Sequence, residues 1–234
     1  MTVQSHADSH QQDFIPKLKQ HLLPRIKSLL SAENAGACPG TSPTIPDNDA
    51  NEDWHAVLFK QDRIYKHNIM RINYTTYDVR RGEDMIHPGT SHCNIMVLNP
   101  GVSEHPFWYA RVLGIYHVNV VYAGDGTVDY LPRRLEFLWV RWYQMDNVPV
   151  SWTNKCLDRV HFPPMMREDS FGFLDPSDIL RGCHLMPAFS RGKVHPDGAG
   201  VSHCAQDSRD WKAYYVGRCV FIHHKSTASI NSLC

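Results

Sequence analysis

Three groups of side chains in this sequence have the types and the closeness that chemistry requires. The first is Cys183, His184, His195, His203 and Cys204, within "RGCHLMPAFSRGKVHPDGAGVSHCAQD". Two thiolates and two imidazoles make a tetrahedral zinc site when each pair is separated by a few residues, so that one knuckle wraps the ion. In Cys183–His184 and His203–Cys204 the partners are adjacent instead. Adjacent side chains of an extended segment point to opposite faces, so each pair offers at most one ligand. Free core thiols beside surface histidines are the expected outcome.

The second group, "YDVRRGEDMIHPGTSH", holds Asp78, Glu83, Asp84, His87 and His92. Carboxylates and imidazoles at this density can hold a hard divalent cation for hydrolysis. Mixed charge around a glycine and a proline more often forms a solvated loop whose arginines pair with its own acids, and that is expected here. In the third group Tyr74, Tyr77, Trp108 and Trp142 interleave with Arg71, Arg80, Arg81, Arg111 and Arg141. Exposed rings stack on bases while arginines hold phosphates, so such interleaving on a sheet face can bind single strands. Two-residue alternation puts Trp108 and Trp142 inside. The candidate contact surface for a partner or for nucleic acid is then Arg71, Tyr74, Tyr77, Arg80 and Arg81.

No G-x-S-x-G, P-loop, dinucleotide fingerprint or H-E-x-x-H occurs in the sequence, so no enzyme and no cofactor are expected. The 234 residues carry 24 lysines and arginines against 24 acids. A chain of zero net charge lacks the overall basic field that drives nonspecific nucleic-acid binding, although a local patch can still act. Seven cysteines, an odd number without a CxxC pair, read as reduced intracellular thiols. The N-terminus shows no basic leader followed by an apolar run, and no stretch approaches the roughly 20 apolar residues needed to span a bilayer. No membrane partner is expected.

The elements that must position these groups fall into four segments. Residues 1–31 contain an amphipathic helical segment, with Phe14, Leu18, Leu22, Leu23, Ile26, Leu29 and Leu30 at helical spacing and basic residues opposite. Its apolar face is expected to pack on a neighbouring domain, with a break at Pro24 where the backbone donor is lost. Residues 32–53 are rich in Pro, Gly, Ser, Asn and Asp and read as a disordered linker. From Trp54 short β-type runs alternate with turn residues. In "FWYARVLGIYHVNVVY" the residues from Trp108 to Tyr122 at even positions mark a core face, and Gly114 permits a bend through which one strand serves both halves of a small barrel. "RRLEFLWVRWYQ", Arg133 to Gln144, is apolar on both parities, as expected of a central strand covered on both sides. Residues 54–219 form this domain, and 220–234 are an atypical tail.

The succession "FWYARVLGIYHVNVVY", turn, "RLEFLWVRWYQ", then "FGFLDPSDILRGCHLMPAF" resembles the bromo-adjacent homology (BAH) domain, an interaction module of chromatin proteins. The matching residues are Ala110, Arg111, Val112, Ile115, Val140, Arg141, Trp142, Tyr143, Phe173, Leu174, Ile179, Arg181, Gly182 and Cys183. Over nearly its whole length, through "DFIPKLKQHLLPRI", "RINYTTYDVRRGEDMIHP" and "DWKAYYVGR", the chain is also similar to the C-terminal region of large, transposon-associated proteins of mushroom-forming fungi. There "YYVGR" is followed by a phenylalanine and "VDRDM", where this chain reads "CVFIHHKSTASINSLC", which looks like a truncated end. These resemblances imply a mainly β fold: a small SH3-like or BAH-like barrel with an N-terminal helical arm and short peripheral helices. They also imply a noncatalytic module in the nucleus that binds a protein or chromatin partner, with the upstream transposase-like domain absent from this chain. A nucleic-acid-binding module, and a remnant without independent activity, are the alternatives.

Overall fold

The computed structural model describes residues 13–35, 54–75, 81–99, 101, 105–124, 127–146, 157–217 and 227–229. The chain divides into two compact units. One comprises residues 1–65 with 117–135, and the other residues 66–116 with 136–234. The described part is mainly β, as expected, with one α-helix and several short 3-10 turns.

Unit one holds helix α1 (Phe14–Ala35). It also holds strand β1 (Val57–His67) up to Tyr65, and the distal parts of β5 (Phe107–Gly124) and β6 (Thr127–Trp142). Leu18, Leu22, Leu23 and Ile26 lie on one helical stripe and are buried, as are Val57, Val118, Val120, Tyr122 and Leu135 on the strands. The helix does not break at Pro24 but runs through it. Pro24 is exposed. Gln20, whose carbonyl loses its partner four residues earlier, is an exposed residue too, and a freed carbonyl on the solvent side of a helix is satisfied by water without ending it. Arg133 donates to Glu33 of α1, with Nε–Oε1 at 3.0 Å, and Lys19 lies over the rings of Trp54 and Phe59. β1 pairs with β5. Within β1, Gln61 and Asp62 both take left-handed backbone angles, with φ of 59° and 51°. That conformation costs a non-glycine residue about 1–2 kcal/mol.

Unit two is layered. Its central sheet has the order β10 (Ile179–Gly182), β4 (Asn94–Leu98), β5, β6 and β9 (Phe171–Leu174), all antiparallel where the register is defined. A second sheet, in the order β13 (Thr227–Ser229), β2 (Met70–Thr75) and β3 (Arg81–Ile86), covers one face. Met70, Ile72 and Ile86 pack there against Ile95, Val97, Ala110, Val112, Leu138 and Val140. The third sheet, β11 (His184–Pro187), β12 (Tyr214–Gly217), β8 (Arg159–His161) and β7 (Gln144–Met145), covers the other face. There Val160, Leu185, Tyr214 and Val216 meet Met96, Tyr109 and Tyr143. On β6, Phe137, Leu138 and Val140, side chains of both parities, are buried, so the two-faced burial expected of this strand is observed.

The described sheets are open: β9 and β10, at the two ends of the central sheet, do not pair with one another among the described residues. A strand apolar on both faces needs cover on both, and stacked sheets supply it without closure. Gly114 lies within β5, and its missing side chain makes room for the Tyr116 ring folded over it. Trp108 also departs from the expected core face, being 44% exposed at the start of β5, beyond the apolar cluster beneath the β2–β3 sheet.

Candidate interaction surface

Of the five residues expected to form the contact surface, Arg71 and Tyr74 lie on β2 and Arg81 on β3, while Tyr77 and Arg80 fall outside the described residues. Tyr74 is opposite Gly82, and Thr75 is opposite Arg81. Gly82 is required here, because a Cβ would come within 2.5 Å of the Tyr74 ring. The Arg181 guanidinium lies 3.4 Å from the centre of the same ring. Arg181 Nε in turn donates to Asp84 at 2.7 Å, and the Gly182 amide donates to the same carboxylate at 3.0 Å. Arg71 faces Glu83 at 3.4 Å in an exposed pair. The tyrosine and one arginine of this surface are therefore already engaged, and Arg81 is its exposed cation.

Arg111 and Arg141, the other arginines of the aromatic and basic pattern, point inward. Both end on Asp210: Arg111 Nη1 donates to Oδ1 at 2.6 Å and Arg141 Nη1 to Oδ2 at 2.7 Å. Tyr214 donates to Oδ1 at 3.3 Å and accepts from the Trp211 amide at 2.9 Å. Phe162 lies under both guanidinium groups, at 4.5 and 3.9 Å from its ring centre. One carboxylate thus serves two buried cations, and the ring quadrupole supplies the remaining stabilisation. Burial outweighs the nearby Arg111 charge in raising the Tyr143 and Tyr214 hydroxyls above their ordinary values, so both stay neutral. Tyr143 donates to Asn94 at 3.0 Å. No local signal marks Asp210, which lies 99 residues from Arg111 in the chain.

The cysteine and histidine set does not converge. Cys183 follows β10 and is shielded, so desolvation drives its thiol far above the ordinary range, with Cys93 and Asp84 adding to the effect. Cys93 is raised by burial as well. His184 and His203 are exposed and Cys204 is half-buried. His195 contacts Asp207 at 3.2 Å, and Asp207 accepts from the amides of Val201 and Ser202, so this pair pins its own loop. Cys93, Cys183 and Cys204 are free thiols. Among the described residues no three His, Cys, Asp or Glu side chains gather to hold a metal ion. In the carboxylate group Glu83 and Asp84 pair with arginines, and His87 Nδ1 accepts from the Gly89 amide at 3.2 Å within a turn, while Asp78 lies outside the described residues. No described helix is long and apolar enough to cross a membrane.

The aromatic surface that unit two does offer lies at Trp108. Its ring meets Trp142 edge to face at 5.9 Å. Trp142 is half-buried against the core, its indole nitrogen 2.8 Å from where a Cβ of Gly172 would stand. Exposed tryptophan on a rigid sheet is what contact surfaces use. No protein family, no curated protein and no solved structure matches this chain.

Proposed function

We propose that this chain is a noncatalytic interaction module that binds a protein or chromatin partner through the Trp108–Trp142 end of unit two. One observation carries this reading: Trp108 stands exposed on a sheet packed on both faces, braced by Trp142 over Gly172. An aromatic ring held this way loses little freedom on binding, which is why tryptophan dominates interface energetics. The sequence resemblance to a BAH-like barrel and to transposon-associated fungal proteins supports a nuclear, chromatin-bound setting beside a transposase-like region. The alternative of nucleic-acid binding at Arg71, Tyr74 and Arg81 draws less support, because Tyr74 stacks on Arg181 and Arg71 faces Glu83.

Binding to nucleosome core particles, measured with the full chain and with Trp108→Ala, tests the proposal. Trp108→Ala is expected to weaken binding about 30-fold or more, as for a tryptophan hot spot worth about 2 kcal/mol. Equal binding by both proteins, or none by either, would exclude chromatin recognition at this surface.

A further inference from the structure

Unit one has a second surface, independent of the Trp108 proposal. Alternation along a strand decides which side chains occupy it. On β5, Val118, Val120 and Tyr122 are buried, and the Cβ position of Gly124, on the same parity, lies 3.1 Å from Ala56 in the turn that contacts α1. His117, Asn119 and Val121 therefore face away from the helix. On β6, Arg133 reaches Glu33 of α1, so Tyr130 and Arg134 face away too. Tyr130 is 80% exposed.

β1 changes its parity midway. Phe59 faces α1, since Lys19 lies over its ring, and Lys60 therefore points outward. Tyr65 differs from Phe59 by an even number of residues and would face α1 in a regular strand. It instead stacks flat on the outward His117, with ring centres 4.6 Å apart and planes at 7°. The reversal occurs at Gln61 and Asp62, the two successive left-handed residues. Its consequence is that Lys60 and Arg63, three positions apart, share the outward face with Tyr65. Backbone strain held at one place that redirects side chains onto an open surface points to use of that surface.

We propose that this outward face of unit one binds single-stranded nucleic acid, with a base stacking on Tyr65 and phosphates held by Lys60 and Arg63. Lys60, Arg63 and Tyr65 are exposed. Facing away from α1, the described strands of unit one carry Lys60, Arg63 and Arg134, while Arg133 reaches toward the helix. Asp62, at the left-handed turn between Lys60 and Arg63, is the acid of this stretch of β1. A sheet face with an aromatic pair and strand-borne cations, backed by a helix, accommodates unstacked bases regardless of sequence.

Fluorescence anisotropy of a labelled oligothymidylate and oligouridylate of about 12 nucleotides, with the matching duplex as comparison, tests this on the full chain. Both single strands are expected to bind more tightly than duplex. Tyr65→Ala should weaken binding about 5-fold or more by removing a stacking platform. The double variant Lys60→Glu with Arg63→Glu should weaken it at least about 10-fold and make the salt dependence shallower by roughly 1.4 in log–log slope. Gln61→Gly with Asp62→Gly, which relieves the strain but keeps the left-handed turn, should retain binding. Arg167→Glu, an exposed site in unit two, serves as control, and circular dichroism establishes that each variant is folded. The proposal fails if neither single strand binds at low salt, if duplex binds equally well, or if folded Tyr65→Ala and Lys60→Glu/Arg63→Glu bind as the parent does. It also fails if Arg167→Glu is as damaging as the unit-one changes, which would mark diffuse charge attraction.

Discussion

The two units treat their cations in opposite ways. In unit two Arg111 and Arg141 are drawn inside onto Asp210 and Phe162, whereas in unit one Lys60 and Arg63 remain in water on a face that a strained backbone assembles. Both pairs sit on strands rich in aromatic residues, and their immediate sequence does not distinguish them. The difference lies in whether a carboxylate from a remote segment arrives to neutralise the charge. Where it does, the arginine becomes part of the core; where it does not, the cation is left for a ligand.

The sharpest way to break this contrast is Asp210→Ala. It leaves two buried guanidinium groups facing one another without a counter-charge, and about 3–5 kcal/mol of stability is expected to be lost. Urea denaturation of the full chain measures it. A loss below about 1 kcal/mol would mean that the arginines find water or another partner, and the distinction between the units would collapse.

A smaller effect, of opposite sign, is expected in unit one. Pro24 sits inside α1 on its exposed side, so Pro24→Ala restores a backbone hydrogen bond without disturbing the buried stripe of Leu18, Leu22, Leu23 and Ile26. A gain of about 1–3 kcal/mol, read from thermal or urea unfolding, follows from the propensity difference. A loss of stability would show that the proline ring contributes packing.

The smallest effect concerns acid. Partial burial by itself would raise the Asp146 carboxyl, but hydrogen bonds from Arg159 and His161 outweigh it and hold the group below the ordinary carboxylate value. Because the folded value is the lower one, the stabilisation is fully present above the unfolded value of about 3.9 and is lost as pH falls through the folded value. Asp146→Asn should therefore lower stability at neutral pH and flatten its decline below about pH 4. An unchanged acid limb in a denaturation series would remove Asp146 from the account.

Much of the architecture is legible in the sequence. The helical stripe of α1 follows from apolar spacing, and the burial of β6 on both faces follows from apolar residues on both parities. Closure into a barrel was not legible in the same way, because two-sided cover and closure leave the same pattern in a strand. The break expected at Pro24 failed since the rule concerns a lost hydrogen bond, while its consequence depends on which side of the helix faces water. Trp108 was assigned to the core by alternation, yet parity gives only the face and not whether the covering sheet extends that far. Of the candidate surface residues, Tyr74 proved to be a platform for Arg181, a partner 107 positions away in the sequence.

The sequence alone determined the local terms: where strands and helix form, which stripe of each is apolar, and that the adjacent Cys183–His184 and His203–Cys204 pairs do not suit a zinc knuckle. Those depend on neighbours within a few residues, whose geometry the backbone fixes. Tertiary structure decided which charges are neutralised and which stay in water, since Asp210 meets Arg111 and Arg141 only after the third sheet packs on the second unit's central one. It also decided that Lys60, Arg63 and Tyr65 share a face, because two left-handed residues reverse an alternation that the sequence pattern assumes to be unbroken.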